Sequence, residues 1–135
     1  MARSTRCRKS WEYAFMPPFY HRSILLYTAL EALRFGRMYF RQISGNGRDF
    51  GLSQGQPCTL AFSRILAYQG VLVAYNTSPT EPRNDYVMVD NTLHQKGDIM
   101  KFLYGKEGCV TVQSHPDSSL LVQLELAPMQ FVILQ

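Results

Sequence analysis

The chain has 135 residues, 46% of them hydrophobic, 13% aromatic and 18% charged, a composition that fits one globular domain and excludes disordered or collagen-like chains. A domain of this size buries roughly 65–70% of the surface its unfolded chain exposes, so a core needs neither metal nor disulfides to hold it. The net charge of +4 is unevenly placed: residues 1–48 carry nine basic and two acidic groups, residues 49–135 five and eight. Arg3, Arg6, Arg8 and Lys9 crowd the first ten residues, so the positive balance belongs to an N-terminal arm more than to a basic fold. Cys7, Cys58 and Cys109 show no CxxC or Cys/His ligand spacing and read as thiols in a reducing compartment. No apolar signal region follows the first charges, and the run Ile24 to Leu33 is interrupted by Glu31 and is too short for a span. The chain is therefore expected in the cytoplasm, away from membranes.

Residues 1–20 have no sustained period and contain Pro17-Pro18, which cannot lie inside a helix, so they read as a basic irregular arm. Over 21–36, Ile24, Leu26, Leu30 and Leu33 recur at three- and four-residue spacing and Gly36 closes the run, which predicts one amphipathic helix. From 37 to 135 the period drops to two, with turn residues between the runs. Strands are expected at Arg37 to Ser44, Cys58 to Ile65, Val71 to Tyr75, Tyr86 to Asp90, Ile99 to Tyr104, Cys109 to Gln113, Leu120 to Leu126 and Met129 to Ile133. Gly105-Lys106-Glu107-Gly108 marks a hairpin. Seven or eight strands with no helical pattern between them predict a mainly β protein, an antiparallel β-sandwich, because parallel strands need crossovers the chain has no room for. A small closed barrel is the alternative.

The stretch Ala32-Leu33-Arg34-Phe35-Gly36-Arg37-Met38-Tyr39-Phe40-Arg41-Gln42-Ile43-Ser44, then Leu60 to Leu66, Val71 to Ser78 and the closing Pro128 to Leu134, resembles the last barrel helix and C-terminal domain of α-amylase-type enzymes of glycoside hydrolase family 13. The resemblance covers roughly residues 21–135 and contains no catalytic signature. It implies a non-catalytic β-sandwich, part of carbohydrate metabolism, that packs on a (β/α)8 barrel as a domain or as a separate fragment. The barrel strands, with the family's nucleophile and acid/base carboxylates, have no counterpart here. The resemblance also implies that some of Ile24, Leu25, Leu26, Leu30, Leu33 and Phe35 would face the barrel and form an interface patch in its absence.

No catalytic residue and no cofactor emerge from the sequence. Retaining glycosidases need two carboxyl groups about 5–5.5 Å apart in a cleft, whereas the acidic residues here fall at turns, strand ends or polar faces; Asp90, ending the Val87-Met88-Val89 run, is the one expected to be buried and hydrogen-bonded. His21, His94 and His115 lack ligand spacing, so no metal site is expected. Asn76-Thr77-Ser78 matches the glycosylation sequon, a frequent chance match. Trp11, Tyr68 and Tyr104 sit in loops or at strand ends, where rings can stack on sugars; they are the candidate carbohydrate contacts of a second reading, an independent α-glucan-binding module. A third reading, nucleic-acid binding through the basic arm, is disfavoured by the net negative charge of the strand region.

Overall fold

The computed structural model describes residues 31–55 and 57–135. The arm over 1–20 and the first part of the helix expected over 21–36 lie outside the described residues. Residues 31–35 are helical. The Gly36 N–H donates to the Ala32 carbonyl at 2.8 Å, and the chain turns directly into strand. Glycine is required there by crowding, since a Cβ at Gly36 would lie 2.4 Å from the Ala32 oxygen and 2.9 Å from the Ile65 backbone.

Ten strands follow: β1 (Arg37–Phe40), β2 (Ile43–Ser44), β3 (Thr59–Leu66), β4 (Gln69–Asn76), β5 (Arg83–Met88), β6 (Ile99–Tyr104), β7 (Cys109–Thr111), β8 (Gln113–Ser114), β9 (Leu120–Leu126) and β10 (Phe131–Leu134). They form two antiparallel sheets, one in the order β1-β3-β4-β10-β6-β7 and one in the order β2-β5-β9-β8. The mainly β class, antiparallel pairing and β-sandwich layering follow the sequence pattern. Between the sheets lies one core that includes Leu72, Ala74, Val87, Met100, Val122, Leu124, Val132 and Leu134, all 2% exposed or less.

Two of the expected strands are each divided. Arg37 to Ser44 is one alternating run in the sequence, but β1 joins the larger sheet and β2 the smaller, with Arg41 and Gln42 at the bend. Cys109 to Gln113 divides in the same way at Val112, which points into the core. These segments lie at opposite lateral margins, so at each side one continuous piece of chain crosses from layer to layer. Strands that bend from sheet to sheet make the corners of such folds.

The inward face of β3 also differs from a simple hydrophobicity reading. Thr59, Ala61 and Ser63 are buried while Leu60 and Phe62 lie on the outer face. The small side chains let the two sheets approach, and the large ones belong to a second apolar layer outside the larger sheet. The Gly105 to Gly108 turn has positive φ at both ends, +85° and +98°. At Gly105 a Cβ would also collide with the Phe131 carbonyl.

Candidate functional site

The outer face of the larger sheet is apolar in consecutive rows. Leu60, Tyr75 and Phe131 are register partners across β3, β4 and β10. Phe40, Phe62, Val73 and Ile133 form the next row, and Met38, Arg64 and Val71 the one after. Ala32 from the helical residues is buried in one cluster with Val71 and Val73, and Leu33, Phe62, Leu66, Leu103 and Ile133 pack against it. β4 is thus apolar on both faces, as its sequence required. A sheet with one solvated face alternates apolar and polar residues; this one does not.

Toward one end of that face the rings of Tyr75 and Tyr104 both meet Phe131, with centroids 6.4 and 6.0 Å away. The Tyr75 hydroxyl donates to the Met129 sulfur at 3.3 Å. Tyr104 is 61% exposed and Phe131 40%, so the group is open to a partner. Tyr68 is 94% exposed at the turn between β3 and β4. Measured along β4 at about 3.3 Å per residue, it is roughly 23 Å from Tyr75. The structure does not bring Tyr68 and Tyr104 together, and Trp11 lies outside the described residues. Of the six interface candidates, Phe35 is 64% exposed and Leu33 is half-buried against the sheet. Ile24, Leu25, Leu26 and Leu30 lie outside the described residues.

The five aspartates are occupied by structural contacts. Asp85, 3% exposed, is the buried one: it accepts from Thr59 Oγ1 at 2.5 Å and from Arg83 Nε at 2.8 Å. The Arg83 guanidinium is held further above its ordinary range by its hydrogen bond to Asp85, with burial opposing. Asp90, expected to be buried, is a quarter exposed and pairs with Arg41 Nη2 at 3.2 Å, because it falls just past β5 in a turn and not within the strand. Burial pushes its carboxyl up, but the hydroxyl and backbone N–H of Thr92, together with Arg41, hold it below the usual value. Asp117 is lowered to about 2 by the Ser119 hydroxyl and N–H and by His115. Asp98 accepts from the Gln95 N–H at 2.8 Å, and Asp49 from the Asn46 amide at 2.8 Å.

Asn76 settles the sequon. Its side chain is completely buried, and its Nδ2 donates to the carbonyls of Glu81, Ala127 and Leu126 at 2.9, 3.0 and 3.4 Å, while its Oδ1 accepts from the Ser78 N–H. An amide nitrogen so engaged has no room for a glycan. Among the described residues no three His, Cys, Asp or Glu side chains converge as metal ligands, and no helix is long and apolar enough to cross a membrane. The expectation of three thiols is corrected at Cys109, which is disulfide-bonded; sequence spacing does not report which Cβ atoms the fold brings within reach. Cys58 is a free thiol.

A depression of about 380 Å³, wide open, lies between Cys58, Arg83 and the 51–54 loop. A space beside Leu93 and His94 is only about 10 Å³, too small for a sugar.

No family model and no curated protein matches the chain.

Proposed function

We propose that the chain is a non-catalytic, all-β packing domain of the kind that follows the barrel in α-amylase-type enzymes of glycoside hydrolase family 13. In this reading it stabilises a (β/α)8 barrel by covering apolar surface and performs no chemistry itself. The observation that carries it is the doubly apolar larger sheet. A two-layer sandwich needs only its inner faces for a core, yet Phe62, Val71, Val73, Leu103 and Ile133 build a second apolar layer outside it, met by Ala32 and Leu33. The order helix, tight Gly36 joint and sheet matches what the resemblance implies for the passage from barrel to sandwich. The cytoplasmic location expected from the sequence is a separate proposal, and the Cys109 disulfide weighs against it.

The test uses the full chain and a family 13 barrel stripped of its own C-terminal domain. Co-elution is expected, with a barrel melting temperature raised by several degrees, and Phe40→Glu with Phe131→Glu should abolish both effects. Independent migration with an unchanged melting temperature would overturn the proposal. The chain alone is expected to leave chromogenic maltooligosaccharides intact.

A second reading, an α-glucan-binding module, is favoured by one specific observation: Tyr75, Phe131 and Tyr104 form a contiguous, partly open ring cluster, the form of surface on which sugar C–H faces stack. Retardation in gels containing starch or glycogen, lost in Tyr104→Ala, would favour it over the packing role.

A further inference from the structure

Among the described residues the strand β1 forms one margin of the larger sheet and pairs only with β3. All four of its residues are exposed, with Met38 at 45% and Phe40 at 59%. Its backbone orientation follows from one bond: the Arg41 N–H donates inward to the Ala61 carbonyl at 2.9 Å. Antiparallel strands alternate in the direction of their N–H and C=O groups. Arg37 and Tyr39 therefore face β3, and Met38 and Phe40 turn theirs away from the sheet. Such an edge is a template for an added strand.

The arginines beside this edge lack carboxylate partners among the described residues. Among the described residues the cations deeper in the fold have carboxylate partners, Arg41 with Asp90 and Arg83 with Asp85. Arg34, Arg37 and Arg64 have none. Arg64 extends from the outer face beside Met38, its Nε buried without a hydrogen-bond partner and its Nη2 reaching only the Arg34 carbonyl at 3.5 Å. Arg37, register partner of Ile65, lies on the opposite face by strand alternation. The exposed Phe35, stacked under the Arg34 guanidinium at 5.0 Å, adds apolar area.

We infer that the open edge of β1 accepts an extended acidic segment of another protein as an added strand, its carboxylates pairing with Arg34, Arg37 and Arg64. Backbone pairing at Met38 and Phe40 holds the segment, and the arginines select its charge. A second copy of this chain is a poor occupant, because pairing β1 with itself would bring two sets of unpaired guanidinium groups into one interface, a like-charge juxtaposition that disfavours association. Nucleic acid lacks the strand backbone that the edge offers to bind. The inference concerns the margin of the sheet and does not rest on the family reading.

The ¹⁵N-labelled full chain is titrated with a blocked octapeptide that repeats Glu-Glu-Val-Val, which puts carboxylates on both faces of a strand, with its lysine counterpart, and with a single-stranded DNA octamer. The acidic peptide is expected to shift and protect the Met38 and Phe40 amides, and the lysine peptide to leave them unchanged. Arg37→Glu with Arg64→Glu should weaken binding at least tenfold; Arg37→Glu alone, at an exposed site, serves if the double variant fails to fold. Met38→Pro, which removes an outward-facing donor and leaves the β1–β3 ladder intact, should abolish binding with an unchanged melting temperature. Unmoved Met38 and Phe40 amides, equal binding of both peptides, DNA occupying the edge in place of peptide, or self-association of the free chain through β1 would each overturn the inference.

Discussion

At the scale of single residues, polar side chains inside or at the rim of the sandwich join pieces of chain that share no ladder. Asn76 gathers three carbonyls, from Glu81, from Leu126 at the end of β9 and from Ala127, and Asp85 ties β5 to Thr59. Neither role was legible in the sequence: an asparagine before a proline-containing loop reads as a turn residue, and an aspartate two positions from an arginine reads as solvated. Only burial turns them into anchors. His94 gives this scale a measurable consequence. Burial lowers its pKa below the ordinary 6.5, outweighing Asp98 and Asp90, which raise it, and Arg41 acts in the same direction as burial. The unfolded chain therefore takes up a proton that the folded one refuses, so stability should fall as pH drops through and below that value. Asp90, held below its ordinary 3.8, adds a separate loss only in more acid solution. Melting temperature followed from pH 7.5 to 5 should show the first decline, and His94→Gln should flatten it while sparing the acid limb. A wild-type profile that is level across that range would refute the assignment.

At the scale of elements, the strands were legible because period-two alternation and turn residues bracket nearly all of them. What alternation does not report is which sheet a strand joins. The runs from Arg37 to Ser44 and from Cys109 to Gln113 keep their rhythm through the bend, so each reads as one strand and is two. Nor does alternation say which face looks inward when both are populated. In β3 the smaller side chains took the core because the outer layer, with Ala32 and Leu33, had use for Leu60 and Phe62. Part of that layer comes from the joint at Gly36, where the Ile65 backbone passes within van der Waals distance of where a Cβ would be. Gly36→Ala should push the helical residues off the sheet and cost roughly 1–3 kcal/mol, as overpacking does. Chemical denaturation would measure it, and a loss confined to a few tenths would mean that the joint yields easily.

At the scale of the whole molecule, the uneven charge of the sequence acquires a location. Arg34 and Arg37 flank the junction of helix and sheet without acidic partners among the described residues, while Arg41 is neutralised by Asp90. Positive charge beside exposed Phe35, Met38 and Phe40 is the composition of a surface awaiting contact more than of one meant for water. The fold class was legible from pattern alone; the proposed function rests on a resemblance in strands and spacing, which contains no reactive group to test, and on the second apolar layer.

The chain's two crossings between layers have a mechanical consequence. One segment passes from sheet to sheet at β1 and β2, another at β7 and β8, and they stand at opposite margins. Neither sheet can slide over the other or peel away without dragging a piece of its neighbour, so the sandwich is riveted along both sides. Amides in β4 and in β9 should then exchange with solvent at a common opening free energy, as one cooperative unit; a sheet that opened alone would contradict this. A block that resists shear in this way would suit the packing role proposed above.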